Sequence, residues 1–187
     1  QSTIVVTGEA VSGGYFETLG VPARRGRTLA PSDDLASSTP VAVVSERVWA
    51  QLAGATAPFS PTPITVNQRP LTVVGIIDDR FAGVRPGARA GIWVPLAAMQ
   101  SIDPDRIPRL LAERRASWLW LLGRRRPGVT HEAAAAELNR VEAGLAPTVG
   151  RSAPKQLRVT DGRRGTDTVP DATRDTLRIL VGASLLV

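Results

Sequence analysis

Residues 12–27 read SGGYFETLGVPARRGR, and this stretch predicts a short helix that packs into a core. Tyr15, Phe16 and Leu19 fall on one helical face, at spacings of three and four residues. Gly20 follows where a left-handed C-cap would end the helix. The chain has only three Phe, four Trp and one Tyr, so an adjacent aromatic pair needs an explanation. We expect Tyr15, Phe16 and Leu19 to be buried core residues rather than the lining of a binding site.

The next segments predict short strands that alternate with helices. Residues 41–44 are expected to form a buried strand, and Ser45 is placed to cap the helix that follows. Two further strands are predicted at 64–66 and 71–77. The turn between them begins with Asn67, a residue that tolerates positive φ. This pair is therefore expected to be a β-hairpin.

Residues 118–160 predict a β-α-β unit, in which a helix packs on one side of a sheet. The run WLWLL at 118–122 is apolar without interruption, which is typical of a strand buried on both faces. Thr130 is expected to cap a helix over 131–143 with one apolar stripe. A second strand is predicted at 156–160. Together with the earlier elements, this unit predicts an α+β fold.

The residue types exclude several kinds of active site. The chain has no cysteine, which excludes disulfides, thiolate metal sites and cysteine nucleophiles. His131 is the only histidine, so a histidine-rich metal centre is excluded as well. The carboxylate pairs Asp33–Asp34 and Asp78–Asp79 lie in polar turns, and we interpret them as solvated turn residues. We predict a non-enzyme with no catalytic, cofactor-binding or metal-binding residues and no cofactor.

The charge raises the question of a nucleic-acid partner. The net charge is +6, and Lys155 is the one lysine among 23 basic residues. The arginines cluster in separate turns, at 24–27, 124–126 and 163–164, without interleaved stacking aromatics. We therefore predict no nucleic-acid partner. An arginine-rich nucleic-acid binder would instead show an affinity that falls steeply with salt.

The C-terminal segment ends in an apolar run, LRILVGASLLV, at 177–187. Eleven residues are too few to span a bilayer, which needs about 20. Two interpretations stay open, a terminal core helix and a transmembrane helix that is cut short. The apolar residues after Arg178 cover more than one helical face, which favours the membrane helix.

Taken in order, these landmarks resemble the MacB-like periplasmic core domain of ABC transporter permeases. The resemblance is carried by VSGGYFETLGVPARRGRTLAPSDD (11–34), VAVVSERVWAQL (41–52), ITVNQRPLTVVGIIDDRFAG (64–83) and IWVPLAAM (92–99), then by 118–160 and the apolar run. The loop DDRFAGVRP and the strand IWVPL are most similar to a branch of orphan permeases with duplicated halves. One departure is Gln68, which stands where the family has glycine after the hairpin asparagine.

The resemblance implies a porter-like β-α-β subdomain and a small mixed α/β subdomain inserted into it. On this sequence the porter-like subdomain would comprise residues 1–40 and 100–165, and the insertion residues 41–99. Residues 166–187 would form a connector and the start of a truncated transmembrane helix.

The resemblance also gives the opening stretch a role. Tyr15 and Phe16 would be core residues on the hinge side of the domain that help to anchor the porter helix. Arg27 would be a structural turn arginine.

The function implied by the resemblance is that of a non-catalytic extracytoplasmic domain of an ABC-type permease in the inner membrane. Such a domain couples ATP-driven motion to export or to the handling of a substrate or lipoprotein. The implied partners are a cytoplasmic ATPase reached through the membrane part, a second permease half or a second copy, and a periplasmic adaptor. The alternative is a soluble extracytoplasmic binding module unrelated to transport. That alternative fails if the gene continues into about ten further apolar residues.

Overall fold

A run of β-branched residues forms the central strand of the fold. In the computed structural model, β3 (Val41–Ser45) is buried at every position. Ser45 ends this strand and caps the helix that follows, because its side chain accepts a hydrogen bond from the backbone N–H of Val48. The predicted strand and the predicted cap are both confirmed.

The structure describes residues 3–85, 87–113 and 119–162. Its other strands are β1 (Gly8–Val11), β2 (Arg25–Gly26), β4 (Thr62–Val66), β5 (Arg69–Ile77) and β6 (Ile92–Pro95). Its α-helices are α1 (Tyr15–Leu19), α2 (Glu46–Ala53), α3 (Leu96–Ile102), α4 (Ile107–Ala112) and α5 (His131–Leu145). Two short 3-10 helices lie at Pro31–Asp34 and Pro147–Val149.

The strands form one mixed sheet in the order β1-β6-β3-β5-β2, and β4 also pairs with β5. β1 runs parallel to β6 and β3 runs parallel to β5, whereas the other pairs are antiparallel. The β1–β6 pairing places Gly8 opposite Ile92. This mixed sheet with helices confirms the predicted α+β class.

Buried side chains form two clusters that alternate along the central strands. Val43 and Trp93 belong to one cluster, whereas Val44 and Ile92 belong to the other. Because successive residues of a strand point to opposite faces, the clusters lie on the two sides of the sheet. α1 contributes to the first cluster and α2 to the second.

The opening stretch folds as predicted. α1 ends at Gly20, which adopts the left-handed conformation with a φ of 70°. Tyr15 and Phe16 are buried, and Leu19 is partly buried against the same cluster. The hairpin is also confirmed, since β4 and β5 pair antiparallel across Asn67 and Gln68.

The strands predicted for the β-α-β unit are absent from the described residues. Leu119, Trp120 and Leu121 form no strand, and their relative exposures are 51%, 63% and 85%. Residues 156–160 form no strand either. An apolar run becomes a buried strand only where neighbouring elements pair with it and cover it. Of the predicted unit, only the helix α5 is present, with Thr130 as its N-cap.

Two predictions about organisation are not settled by the fold. β1 and β2, from the region predicted as porter-like, share a sheet with β3 to β6, from the region predicted as inserted. The division into 1–40 with 100–165, and 41–99, stays a prediction. The connector and membrane helix predicted at 166–187 lie outside the described residues. Within the described ranges, no helix combines the length and apolar character needed to cross a bilayer.

Candidate functional site: a buried glutamate beneath an aromatic cluster

Strand β1 places a carboxylate inside the protein. Glu9 is 8% exposed and accepts two hydrogen bonds from aromatic side chains. The Tyr15 hydroxyl donates to Glu9 Oε2 over 3.2 Å, and Trp93 Nε1 donates to the same oxygen over 3.1 Å. Burial of an unpaired carboxylate costs several kcal/mol, and these donors offset that cost. Nothing in the sequence pattern singled out Glu9, because its partners come from a helix and from a distant strand.

The loop between β5 and β6 closes over this carboxylate. Arg85 Nε lies 3.4 Å from Glu9 Oε1, and the Arg85 side chain is partly exposed. Gly83 has a φ of +92°, and a β-carbon there would lie 2.8 Å from Glu9 Oε2. Only glycine fits this close approach without displacing the carboxylate. Glu9 therefore fixes the path of the loop over the sheet.

Four aromatic rings pack beside the carboxylate. Phe16 is fully buried, and its ring centroid lies 5.2 Å from Tyr15, 6.0 Å from Phe81 and 5.7 Å from Trp93. All three contacts have edge-to-face geometry, which is the favourable arrangement for aromatic pairs. The cluster connects α1, the β5–β6 loop and β6.

Within this cluster the Tyr15 hydroxyl stays protonated and donates a hydrogen bond. Burial raises the pKa of the Tyr15 hydroxyl well above its usual value, and the negative charge of Glu9 raises that pKa further. Tyr15 therefore stays protonated at neutral pH and donates to Glu9. The hydrogen bond from Tyr15 to Glu9 therefore ties α1 to β1.

A second buried carboxylate corrects one sequence prediction. Asp33 was predicted to be a solvated turn residue, but it is buried, and it forms a two-pronged ion pair with Arg27 at 2.7 and 2.9 Å. It also accepts a hydrogen bond from the Ala30 N–H. The hydrogen bonds from Arg27 hold the pKa of Asp33 below its usual value, despite the opposing effect of burial. Arg27 directly follows β2 and is paired with Asp33, but the structure assigns no turn at this position.

The other members of the carboxylate pairs also have partners. Asp34 is partly buried and accepts from the Gly13 N–H. Asp78 is partly buried and binds Arg24 and Arg80, so it too is less solvated than predicted. Hydrogen bonds from Arg80 lower the pKa of Asp78.

Of the four carboxylates in the two predicted pairs, Asp79 alone is exposed, as predicted. Its Oδ1 accepts from the Arg47 N–H at the start of α2. His131 is partly buried at the first position of α5. In the part of the chain that the structure describes, no group of three or more His, Cys, Asp or Glu residues could hold a metal ion. The absence of catalytic and cofactor-binding residues stays a prediction.

The segment 119–162 presents an apolar surface to solvent. Leu138, Val141 and Leu145 lie on the stripe predicted for α5, yet each is exposed. We call these three residues, together with 119–121, the apolar surface. Their exposure differs from the expectation for a helix packed on a sheet.

Two sets of polar contacts hold this segment in place. The Arg124 side chain donates to the Thr18 backbone carbonyl in α1 over 3.0 Å. Asn139 forms a pair of hydrogen bonds with the Leu157 backbone, since its Oδ1 accepts over 2.7 Å and its Nδ2 donates over 2.9 Å. An amide side chain thus substitutes for the strand partner that 156–160 was predicted to have.

Comparisons with known proteins agree with the fold of this chain. Residues 1–141 match the family model described as the MacB-like periplasmic core domain. The structure is similar to the periplasmic region of MacB from Actinobacillus actinomycetemcomitans, with a TM-score of 0.53 and 17% identity over 93% of this chain and 70% of that one. This likeness shows the fold.

A second solved structure is more distant. The extracellular domain of the noncanonic ABC-type transporter YknZ from Gram-positive bacteria gives a TM-score of 0.40 and 20% identity, over 51% of this chain and 46% of that one. No curated protein sequence matches the chain.

Proposed function

This chain belongs to the family of MacB-like periplasmic core domains, and from that premise we propose that it couples ATP-driven motion of an ABC-type permease to the handling of an exported substrate or lipoprotein. The domain acts outside the cytoplasm and carries out no catalytic step. Its ATPase partner is cytoplasmic and is reached through the membrane part of the permease. In this proposal the remaining partners are a second permease half or a second copy, and a periplasmic adaptor.

The apolar surface is the observation that supports a mechanical role. The sheet buries both faces, but the apolar residues of 119–121 and α5 are exposed. Where such side chains adjoin, they form the kind of apolar patch that binds a partner. Leu122 of this segment packs against the first core cluster, but the contacts of Arg124 and Asn139 are polar and leave the side chains of 119–121 and α5 exposed. We infer that another part of the transporter covers this surface during the cycle.

The same proposal includes a route by which motion in the membrane reaches this domain. The connector and the apolar run at 166–187 would lead into a bilayer helix, so motion in the membrane would reach the domain next to α5. Localisation at the inner membrane, with this domain on the periplasmic side, rests on that arrangement and on the family.

Distance measurements between spin labels test the coupling. The chain has no native cysteine, so Ala136→Cys on α5 and Thr65→Cys on β4 give two unique labelling sites. In the complete transporter with its ATPase, the distance distribution between these labels should differ between the ATP-bound and nucleotide-free states. The matched control pair is Ser12→Cys with Thr65→Cys, at the two ends of the sheet, and its distance should stay constant.

Two results would count against the proposal. If both label pairs give the same distances in every nucleotide state, the domain does not respond to ATP. If the protein purifies without any ATPase or membrane subunit and without a bilayer segment in its gene, the soluble binding module becomes the better interpretation.

A further inference from the structure

Two clefts lie side by side at the start of α2. The larger has a volume of about 400 Å³ and is lined by the start of the chain, by Arg47 and by the loop residues Asp79 and Arg89. The smaller, of about 220 Å³, is also lined by Arg47 and Asp79, and additionally by Arg25 and Trp49. Because they share two residues, the clefts are neighbouring parts of one depression, which we call the arginine cleft.

The arginine cleft has more positive than negative side chains, since three arginines line it beside Asp79 and the already paired Glu46. Arg47 and Arg89 form no ion pair with any described residue, and Arg25 donates only to the Ala57 carbonyl. Glu46 in the lining is paired with an arginine, whereas the Asp79 carboxylate forms no ion pair with a described residue. Glu46 binds Arg24 over 3.0 Å, and Asp79 accepts from the Arg47 backbone N–H.

Trp49 supplies a second and independent observation. Its side chain is 3% exposed, and its Nε1 has no hydrogen-bond acceptor. A buried N–H without an acceptor costs about 1–3 kcal/mol. The ring of Phe59 lies edge-to-face with Trp49 at 5.4 Å, and a π-face is a weak acceptor. Trp49 also lines the smaller cleft, so its indole signal reports on that part of the depression.

The larger cleft adds an apolar wall beside the arginines. Val5 and Val6 line it, and the Val5 side chain is fully exposed to solvent. A ligand with an anionic head and an apolar attachment would therefore meet complementary surfaces in adjacent positions.

We propose that the arginine cleft binds a phosphate group. Guanidinium groups bind phosphate through pairs of parallel hydrogen bonds, and a terminal phosphate has three strong acceptor oxygens. Arg47 lines both clefts, with Arg89 beside it in the larger and Arg25 in the smaller, so a phosphate at the boundary would meet at least two guanidinium groups. The phosphate is supplied either by a free phosphate compound or by a phospholipid headgroup, and the apolar wall distinguishes these two sources.

Titration followed by NMR tests the proposal directly. The full 187-residue chain, in dodecyl maltoside micelles, is titrated with sodium phosphate against sodium chloride at constant ionic strength. The indole N–H signal of Trp49, identified by its loss in Trp49→Phe, should shift saturably with phosphate. Arg47→Gln and Arg89→Gln should each weaken binding at least tenfold. Arg69→Gln, an exposed arginine at the far end of β5, should change nothing.

A second titration identifies the source of the phosphate. Dihexanoylphosphatidic acid is used below its micellar concentration, with wild type and with Val5→Ser. Binding at least tenfold tighter than inorganic phosphate, with that gain lost in Val5→Ser, assigns the site to a lipid headgroup. Equal binding of both probes assigns it to a free phosphate compound. The proposal is overturned if neither probe shifts the Trp49 signal, or if Arg47→Gln and Arg69→Gln bind alike.

Discussion

Phe16 is the residue on which the first core cluster depends most. It is fully buried between Tyr15, Phe81 and Trp93, so its removal leaves a cavity that these three rings cannot fill without losing their edge-to-face contacts. We expect Phe16→Ala to lower the free energy of unfolding by about 3–5 kcal/mol, measured by urea denaturation. Leu35→Ala, at an exposed position, is the control and should change stability by less than about 0.5 kcal/mol. A near-neutral Phe16→Ala together with lost partner binding would restore the binding-site interpretation.

Asp33 gives the protein a stability that depends on pH. Arg27 lowers its pKa in the folded state below the ordinary value of 3.8. The stabilisation is therefore fully present well above pH 3.8, and it is lost as the pH falls through the lower folded-state pKa. We expect Asp33→Asn to be less stable than wild type by about 1–3 kcal/mol at pH 7, with a difference that shrinks as the pH falls from 5 to 2.

Measurement of the free energy of unfolding at several pH values checks this sign. Asp105→Asn, at an exposed position, serves as the control and should follow wild type at every pH. A difference for Asp33→Asn that grows on acidification would contradict the ion pair as its cause.

At the scale of elements, the β4–β5 hairpin contains a correctable strain. Asn67 and Gln68 adopt φ values of 47° and 66°, and such left-handed angles cost a residue with a β-carbon about 1–2 kcal/mol. Gln68→Gly should raise the free energy of unfolding by about 0.5–1 kcal/mol, after the larger unfolded-state entropy of glycine is subtracted. Asn67→Gly should gain less, because asparagine tolerates this region. Thermal denaturation of both variants measures these changes in stability. If Gln68→Gly is no more stable than wild type, backbone strain in the turn is excluded.

The Leu157 backbone is bound to α5 through the side chain of Asn139, while Glu142 of the same helix binds the Lys155 N–H and Arg151. Asn139→Ala removes the acceptor of the Leu157 N–H, so the protection of that amide from hydrogen exchange should fall about fivefold to tenfold. Glu137→Ala, two residues earlier on the same helix, removes only an exposed pair with Arg140 and should leave Leu157 unaffected. Equal protection in both variants would show that the segment is held by other contacts.

For the whole molecule, the distribution of buried residues predicts unequal local stability. β3 and β5 lie inside the sheet with buried side chains on both faces, whereas α5 has no buried residue. We expect amides of β3 and β5 to exchange only through global unfolding, and amides of α5 to exchange through openings of lower free energy. Hydrogen exchange at increasing urea concentration separates the two. A common exchange free energy for α5 and β3 would contradict this ranking.

The sequence predicted those parts of the fold that depend on neighbouring residues. The Ser45 cap, the Gly20 C-cap and the Asn67 turn are local, so spacing and residue type were sufficient. Glu9 was missed because its partner Trp93 is brought near only by the pairing of β1 with β6. The run at 119–121 was misjudged for a related reason, since an apolar pattern records a tendency to be buried but does not supply the element that buries it.

The parallel pairing of β1 with β6 has a consequence for the order of events during synthesis. Glu9 and Trp93 are separated by 84 residues, so β1 is made long before the strand that completes it. At roughly 5–20 residues per second, the wait is on the order of 4 to 17 seconds. Throughout that interval Tyr15 and Phe16 have no Trp93 to pack against, and the nascent chain carries an exposed aromatic pair. The first strand of the sequence is thus among the last to join the sheet, and chaperones have their longest opportunity to bind there.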